Sequence, residues 1–306
     1  MVNMRIVFLG TSSAVPTIER GLSSIALLRG AELLVFDAGE GMQRNFIKAG
    51  LGMNKKMKIF ISHMHADHSL GLLGLLQTMA LQGREKSVEI YGEPKLEEFL
   101  HQNMRIINFR LTFEMIIHKI EEEGLVVKDS DYQVLCCKSK HSVPSYAFCL
   151  KEFERPGAFD VKEAKRLGIP EGKLYSKLQH GQDITYEGKF IKSSHVVGPA
   201  RQGRNIGISG DTRPTEKLVK FFQGCDVLVF ESTYSHDKLQ KAIENWHSTA
   251  TEAATLAKEA EAKKLFLTHF SARYDETSVL VNEARVIHSN VEAAEDLKVV
   301  EVPYPY

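Results

Sequence analysis

The sequence is poor in cysteine and has no net charge, and each shortage excludes a class of protein. Its four cysteines among 306 residues form neither a CxxC pair nor zinc-ribbon spacing, which argues against a disulfide-stapled fold and a cysteine-based zinc site. We interpret them as small, reduced apolar residues. Lysine plus arginine and aspartate plus glutamate both total 39, so a polyanionic partner must be met by a local patch or by metal ions.

Long apolar runs are also missing. The longest, residues 70–81, is about a dozen residues long and contains Gly and Gln, which is too short to cross a bilayer. The N-terminal stretch MVNMRIVFLGTSSAVP alternates like a strand and lacks the charged start, the apolar stretch and the cleavage site of a signal peptide. We therefore expect a cytoplasmic protein without a membrane helix.

The composition, 43% hydrophobic and 25% charged, is that of a globular protein with one large core. Short strands closed by glycine turns dominate the first half, and strands alternate with helices in the last third. Between Phe153 and Lys192 the apolar periodicity weakens and Pro and Gly punctuate the chain. The sequence therefore predicts a single α/β domain, 1–306, with an inserted flexible arm at about 153–192.

Four side chains that commonly bind metals follow one predicted strand, 58–62, within six residues: His63, His65, Asp67 and His68. A sharp turn lets the first two face one cation, while the last two, at the start of a helix predicted within 64–82, face a second. Imidazole and carboxylate ligands suit zinc, and also manganese or iron. A lone histidine is usually structural, but this density leaves many polar groups without partners unless a cation is bound.

The run HMHADH, residues 63–68, resembles the HxHxDH signature of the metallo-β-lactamase fold. The resemblance implies a four-layer αββα sandwich. It also implies a histidine after a middle strand, a bridging aspartate and a last histidine after a late strand; His141, Asp211 and His269 stand where that order requires. By this pattern two zinc ions are held per chain: one by His63, His65 and His141, the other by Asp67, His68 and His269, with Asp211 bridging them.

Two cations about 3.5–4 Å apart clamp the attacking and leaving oxygens of a phosphodiester, so hydrolysis is the natural chemistry of such a pair. The fold does not choose the substrate, because lactamases, glyoxalases, sulfur dioxygenases and nucleases share it. Six flanking segments together resemble the short form of the ribonuclease Z family, the transfer-RNA 3′ processing endonucleases: GTSSAVPT (10–17), FDAGEGMQ (36–43), HSVPSYAF (141–148), GDTRP (210–214), HSTATEAA (247–254) and THFSARY (268–274).

This resemblance covers essentially the whole chain and implies an activity. The family removes the 3′ trailer from precursor tRNA, leaving a 3′-hydroxyl on the tRNA and a 5′-phosphate on the trailer. It also implies a homodimer, and no DNA partner is expected. The sequence leaves open which metal is native and whether an encoded CCA end blocks cleavage.

The resemblance assigns proton transfer to Asp67 and His247. Asp67 is the general base of the family, although its roles as ligand and base overlap. His247 has no ligand position in the pattern, and its counterpart in the family protonates the leaving group or supports the transition state. The alternative for His247 is a helix-start histidine beside the capping residue Ser248 or Thr249.

Further residues are candidates to support the metals or the substrate. Asp37, after a strand, is interpreted as a partner that orients a ligand histidine. Glu231 is a candidate to orient His247, with strand-end solvation as the alternative. Ser12 and Ser13, in a glycine-preceded turn, are candidates to contact RNA phosphate, and capping of the turn is the alternative. Arg273 is a candidate to meet a phosphate or a base, with packing as the alternative.

By the resemblance, the arm grips the tRNA body. Its cations concentrate at five positions, Lys162, Lys165, Arg166, Lys173 and Lys177, enough for several phosphate contacts if they share one side. Many relatives carry Gly-Pro where this chain has Gly172-Lys173, so the grip is expected to differ in detail. A solvated charged loop is the alternative. Two other functions stay open: a small-diester phosphodiesterase of the same fold, and a non-catalytic RNA-binding protein with an inert metal site.

Overall fold

The structure, a computed structural model, describes residues 2–305, and the chain divides into two compact units. One unit contains the chain through Leu150 together with Asn205–Pro303. The other contains Lys151–Arg204 and the chain from Tyr304. The arm predicted at about 153–192 lies inside this second unit.

Within residues 2–305 the strands form two seven-stranded sheets and one two-stranded hairpin. The strands are β1 (Met4–Gly10), β2 (Ser24–Arg29), β3 (Glu32–Phe36), β4 (Lys56–Phe60), β5 (Val88–Gly92), β6 (Met115–Lys119), β7 (Gly124–Lys128), β8 (Tyr132–Lys138), β9 (Tyr146–Glu152), β10 (Ile184–Tyr186), β11 (Lys189–Ile191), β12 (Asn205–Ile208), β13 (Val227–Glu231), β14 (Leu265–Thr268), β15 (Val291–Ala293) and β16 (Val299–Glu301). The first sheet has the order β16-β1-β2-β3-β4-β5-β6 and the second β15-β14-β13-β12-β9-β8-β7.

The helices lie between these strands. They are α1 (Met42–Lys48), α2 (Ala66–Ser69), α3 (Gly71–Leu81), α4 (Lys95–Ile106), α5 (Val161–Arg166), α6 (Lys173–Gln179), α7 (Glu216–Phe221), α8 (Leu239–Glu244), α9 (Ala250–Glu259) and α10 (Ser278–Arg285). The start of α9 is set by a capping box, in which Thr249 and Glu252 each bond the other's backbone N–H.

The first unit has four layers. Aromatic side chains from both sheets fill the space between them, among them Phe8, Phe36, Phe60, Phe148 and Phe266. The outer face of the first sheet is buried under α1, α3 and α4. The outer face of the second is buried under α7, α9 and α10. This αββα order confirms the predicted fold class.

Parallel strands place the chemically active loops. Strands β3 to β6 run parallel in the first sheet, and β12 to β15 run parallel in the second. Such sheets bind ligands beyond the carboxyl ends of their strands. The candidate ligands follow β4, β8, β12 and β14 in the chain.

The helix predicted within 64–82 is two helices, α2 and α3, and the difference has a local cause. His65 keeps an extended backbone, with φ −61° and ψ 148°, so α2 begins only at Ala66. The N–H of Gly71 then donates to Ala38 O at 2.8 Å instead of to the preceding turn. An added Cβ at Gly71 would lie 1.9 Å from Gly39 O, so a glycine is required where α3 meets the loop after β3.

The second unit contains more regular structure than the weak periodicity predicts. Helices α5 and α6 and the β10–β11 hairpin pack on their own apolar cluster, formed by Ala164, Ile169, Leu178, Ile184, Ile191 and Val196. Arg204 and Glu152 form a buried ion pair at 2.8 Å in the same unit. The solvated-loop alternative therefore does not describe this segment.

Two expectations from composition hold in the structure. All four cysteines are buried free thiols. Across residues 2–305, none of the helices is both long enough and apolar enough to cross a membrane.

Candidate metal centre

Four predicted ligands from three loops form the first donor set: His63, His65, His141 and Asp211. Nδ1 of His65 lies 3.0 Å from His63 Nε2 and 3.2 Å from His141 Nε2. Asp211 Oδ2 lies 3.7 Å from His63 Nε2. One ligand atom from each residue is within 4.8 Å of all the others, so the four side chains can reach a single cation.

A second donor set contains Asp67, His68, His269 and, again, Asp211. The Nε2 atoms of His68 and His269 are 3.2 Å apart. Asp211 places Oδ2 3.3 Å from His68 Nε2 and Oδ1 3.3 Å from His269 Nε2. Asp67 Oδ2 lies 3.4 Å from His269 Nε2. Asp211 thus belongs to both sets, as the sequence pattern requires of a bridging residue.

The donor chemistry fits metal ions. Asp211 is 2% exposed, yet its Oδ1 has no hydrogen-bond partner within residues 2–305. Buried carboxylate oxygens rarely stay unpaired, because their desolvation is costly. A cation satisfies this oxygen and the imidazole lone pairs that converge on it, and mixed imidazole and carboxylate donors are those of zinc and related metals.

One buried carboxylate, Asp37, orients a histidine in each donor set. Its Oδ2 lies 2.8 Å from His68 Nδ1 and accepts the Ser62 hydroxyl at 2.9 Å. Ser62 Oγ lies 2.9 Å from His63 Nδ1. Since Ser62 donates to Asp37, it accepts from His63, and both histidines carry their proton on Nδ1. Their Nε2 lone pairs are therefore free for a metal.

Glu231 repeats the arrangement on the other sheet. Thr233 donates to Glu231 Oε2 at 2.8 Å, and its Oγ1 lies 2.9 Å from His269 Nδ1. Oε1 of Glu231 lies 3.0 Å from His247 Nδ1. Glu231 is 1% exposed, so strand-end solvation does not describe it. It orients one candidate ligand through a hydroxyl and His247 directly.

Backbone groups complete the support. The carbonyl of Trp246 lies 3.1 Å from His141 Nδ1, and the N–H of Ala14 donates to Asp67 Oδ2 at 2.7 Å. Asp37 and His269 both have φ of 60°, a left-handed conformation that costs free energy in a residue other than glycine. Sequence reasoning missed Ser62, Thr233 and the Trp246 carbonyl. The only signal was closeness in the chain: Ser62 precedes His63, Thr233 comes two residues after Glu231, and Trp246 precedes His247.

The pKa values reflect these contacts. Burial lowers the pKa of His247, but the Glu231 and Asp211 carboxylates outweigh it and raise this pKa to about 9. Burial raises the pKa of Asp67, but the hydrogen bond with His269 and the charge of His68 hold it well below its usual value. Both groups are therefore in their charged forms at neutral pH in the absence of a cation.

The two donor sets open into a cleft of about 640 Å³ whose lining includes Ser13, His247 and Arg273. Arg273 is exposed; its Nε donates to Ser271 Oγ at 2.9 Å and its guanidinium lies 4.9 Å from the Tyr234 ring centroid. This leaves its terminal nitrogens for a substrate. Ser13 lines the cleft, although its N–H donates to Phe270 O at 3.0 Å.

Ser12 is placed differently. It is 1% exposed, and its hydroxyl donates to Val15 O at 2.7 Å. Its N–H donates to Gly21 O at 2.9 Å. This geometry is that of the turn-capping alternative, and it leaves no donor of Ser12 for RNA phosphate.

The five candidate cations of the arm lie on α5 and α6, and they divide into two groups. Lys165 pairs with Glu171 at 3.0 Å, and Arg166 pairs with Glu163 at 2.6 Å. The other three, Lys162, Lys173 and Lys177, are exposed and have no ion-pair partner in the described part of the chain. These three are the cations best able to meet phosphate.

The fold and the site define a metal-binding protein of the metallo-β-lactamase superfamily. Residues 182–270 match the family model of the β-lactamase superfamily domain, and residues 4–153 match that of the Anti-Pycsar protein Apyc1.

Two relatives and one solved structure show which family within this superfamily the chain resembles. The chain is 50% identical over 299 residues to ribonuclease Z of Nitrosopumilus maritimus, an alignment that covers 98% of this chain and 100% of that protein. It is 42% identical over 303 residues to ribonuclease Z of Myxococcus xanthus, with 98% of each chain covered. The crystal structure of the short form of human tRNase Z matches with a TM-score of 0.73 and 29% identity, over 98% of this chain and 99% of that one. The chain belongs to the ribonuclease Z family.

Proposed function

We propose that this ribonuclease Z family member, a tRNA 3′ processing endonuclease, uses two zinc ions to cut precursor tRNA at its 3′ trailer. Cleavage leaves a 3′-hydroxyl on the tRNA and a 5′-phosphate on the trailer. The observation that carries the proposal is the pair of donor sets that share Asp211 beside one cleft. A site for one metal, or a site without catalytic activity, does not need two complete sets of metal-binding side chains that share one carboxylate.

The seven side chains divide the two metals between them. His63, His65 and His141 would hold one zinc, Asp67, His68 and His269 the other, and Asp211 both. When bound, such a pair lowers the pKa of water and neutralises charge that develops on the phosphate oxygens. The protein's own contribution is to fix the donors, through Asp37 and Glu231, before the substrate arrives.

Proton transfer is assigned to the two residues named by the family pattern. One oxygen of Asp67 accepts the Ala14 N–H at 2.7 Å, which aims the carboxylate toward the cleft, where it takes a proton from the attacking water. Nδ1 of His247 is held by Glu231 at 3.0 Å, so Nε2 delivers the proton. The P–O3′ bond breaks as the water oxygen bonds to phosphorus, and the leaving O3′ of the tRNA receives the proton from His247.

A substrate with a 3′-bridging sulfur tests the role of His247, because a thiolate leaves without protonation. His247→Ala should lower kcat on ordinary precursor tRNA by about 10²–10⁴-fold. It should cleave the sulfur-bridged precursor at nearly the parent rate. Equal losses on both substrates would contradict leaving-group protonation.

The second unit is proposed to grip the tRNA body through Lys162, Lys173 and Lys177. Lys162→Glu/Lys173→Glu/Lys177→Glu should raise KM for precursor tRNA and lower the slope of log affinity against log salt by about 2–3. The matched control is Lys165→Ala/Arg166→Ala, since those cations are already paired. Unchanged cleavage by the triple variant would favour a small-diester phosphodiesterase.

The homodimer implied by the resemblance and the cytoplasmic location expected from the N-terminal stretch are retained as parts of this proposal. Light scattering at micromolar concentration tests the dimer, with a mass of one chain as the contrary result. The cleavage itself is tested with end-labelled precursor tRNA and Asp67→Ala as the paired variant, by mapping the cut and the chemistry of both ends. A cut elsewhere, or equal cutting by both proteins, would contradict the proposal. A DNA strand of the same sequence should not be cut.

A further inference from the structure

The protein has one tryptophan, and its backbone conformation is unusual. Trp246 has φ of 62°, in the left-handed region that bulky side chains rarely adopt. It lies between Asn245 and His247, both of which line the metal cleft. Strained residues of this kind cluster at functional sites, where surrounding contacts hold them.

The backbone of Trp246 has a structural task. Its carbonyl lies 3.1 Å from Nδ1 of the candidate ligand His141, and its N–H donates to Ile243 O at 3.3 Å. Glycine or asparagine would adopt the same φ at lower cost and supply the same carbonyl. The orientation of His141 therefore explains the turn but does not explain the indole.

The protein covers the indole only in part. Trp246 is 40% exposed, and no aromatic ring or cation within residues 2–305 stacks on it. Tyr234, which lines the metal cleft, differs in this respect because the Arg273 guanidinium lies 4.9 Å from its ring centroid. The segment that carries Trp246 lines the cleft on both sides of it, and partly exposed aromatic side chains on such segments suit unpaired bases, which proteins recognise in RNA by stacking.

We propose that Trp246 stacks on an unpaired nucleobase next to the scissile phosphate, an inference that rests on the proposed function. Two histidines next to Trp246 limit where the base lies. His141, which its carbonyl contacts, is a candidate ligand of one metal, and His247, the next residue in the chain, is proposed to protonate the leaving oxygen. A base stacked on Trp246 is therefore that of a nucleotide flanking the cut. Trp246 then selects substrates whose nucleotides at the cut are unpaired.

Fluorescence provides the first test, because Trp246 is the single tryptophan of the sequence and all tryptophan emission reports on it. The zinc-loaded protein is titrated with a precursor tRNA that carries a methylphosphonate at the cut and cannot be cleaved. We expect strong quenching, and we expect it to vanish when the two nucleotides flanking the cut are abasic. Equal quenching by the abasic RNA would overturn the proposal.

A cycle of protein and substrate changes provides the second test. Trp246→Gly fits the left-handed backbone, and Trp246→Phe keeps a ring. On ordinary precursor tRNA, Trp246→Gly should raise KM about 5- to 100-fold, and Trp246→Phe should recover most of the loss. On the abasic precursor all three proteins should share one KM. An equal penalty on both substrates, or loss of bound zinc in Trp246→Gly, would make the residue structural.

These results are separable from the proposed function. Failure of the parent protein to cleave precursor tRNA would overturn that function, whatever the tryptophan does. Efficient cleavage by the parent, with no dependence of either test on the flanking bases, would overturn only the stacking role of Trp246.

Discussion

Replacing Asp37 by asparagine changes one buried oxygen that the account makes responsible for two candidate ligands. The position has φ of 60°, which asparagine tolerates, so the backbone should be retained. Oδ1 of the asparagine can still accept the Ser62 N–H, which Asp37 accepts at 2.7 Å. The other atom becomes an NH₂ group that faces His68 Nδ1 and the Ser62 hydroxyl.

The size of the effect follows from the reversed hydrogen bonds. An NH₂ donor opposite His68 favours the tautomer with the proton on Nε2, the nitrogen that must bind the metal. His63 loses its fixed tautomer as well, because Ser62 no longer has an acceptor in Asp37 Oδ2. Losses of this kind weaken metal binding by about 10–100-fold, and we expect the upper part of that range because both donor sets are affected.

Competition with a fluorescent zinc chelator measures both binding steps. Asp129→Asn is the matched control, because it makes the same chemical change at a carboxylate that pairs with Lys56 at the other end of β4. The control should bind zinc like the parent protein. Parent-like affinity in Asp37→Asn, or loss of only one of the two zinc ions, would refute the reasoning that Asp37 orients both His63 and His68.

Three further predictions follow from single contacts. Thr233→Val removes the hydroxyl between Glu231 and His269, and should weaken one zinc by about tenfold; a chelator titration in which both ions weaken equally would contradict it. Gly71→Ala forces a Cβ to 1.9 Å from Gly39 O, whereas Gly198→Ala meets its nearest atom at 3.7 Å, so only the first should lose about 1–3 kcal/mol in urea unfolding. The Lys56 hydrogen bond holds the pKa of Asp129 below its ordinary 3.8, so its carboxylate stabilises the fold above that pH and the contribution is lost on acidification. Asp129→Asn should therefore be less stable than the parent at pH 7 in the metal-free state, and the difference in stability should begin to shrink only as the pH falls below about 4; a gap that stays constant on acidification would contradict the assignment.

The ligands could be predicted because the sequence places them at strand ends. His63 and His65 follow β4 directly, Asp211 follows β12 and His269 follows β14, so the apolar strand pattern and the family motif together indicate one edge. The hydroxyl relays could not be predicted. Ser62 and Thr233 are small polar residues without a pattern, and their role exists only once Asp37 and Glu231 are brought beside them.

The second unit was under-predicted for a different reason. Its six buried apolar residues follow one another at intervals of five to nine positions, so no window has a helical or alternating period. The helices α5 and α6 are six and seven residues long, short enough that tertiary packing rather than local propensity stabilises them. Two of the five candidate cations, Lys165 and Arg166, are also neutralised by carboxylates that the sequence analysis did not pair with them.

The central claim is that two metal ions lie side by side and share Asp211. An anomalous-difference map from crystals of the zinc-loaded protein, recorded at the zinc absorption edge, tests it directly. The account predicts two peaks per chain, one within about 2.0–2.2 Å of donor atoms of His63, His65 and His141 and one equally close to Asp67, His68 and His269, with an Asp211 oxygen on each. A single peak, or a peak held by Glu231, His247 and His269 instead, would contradict it.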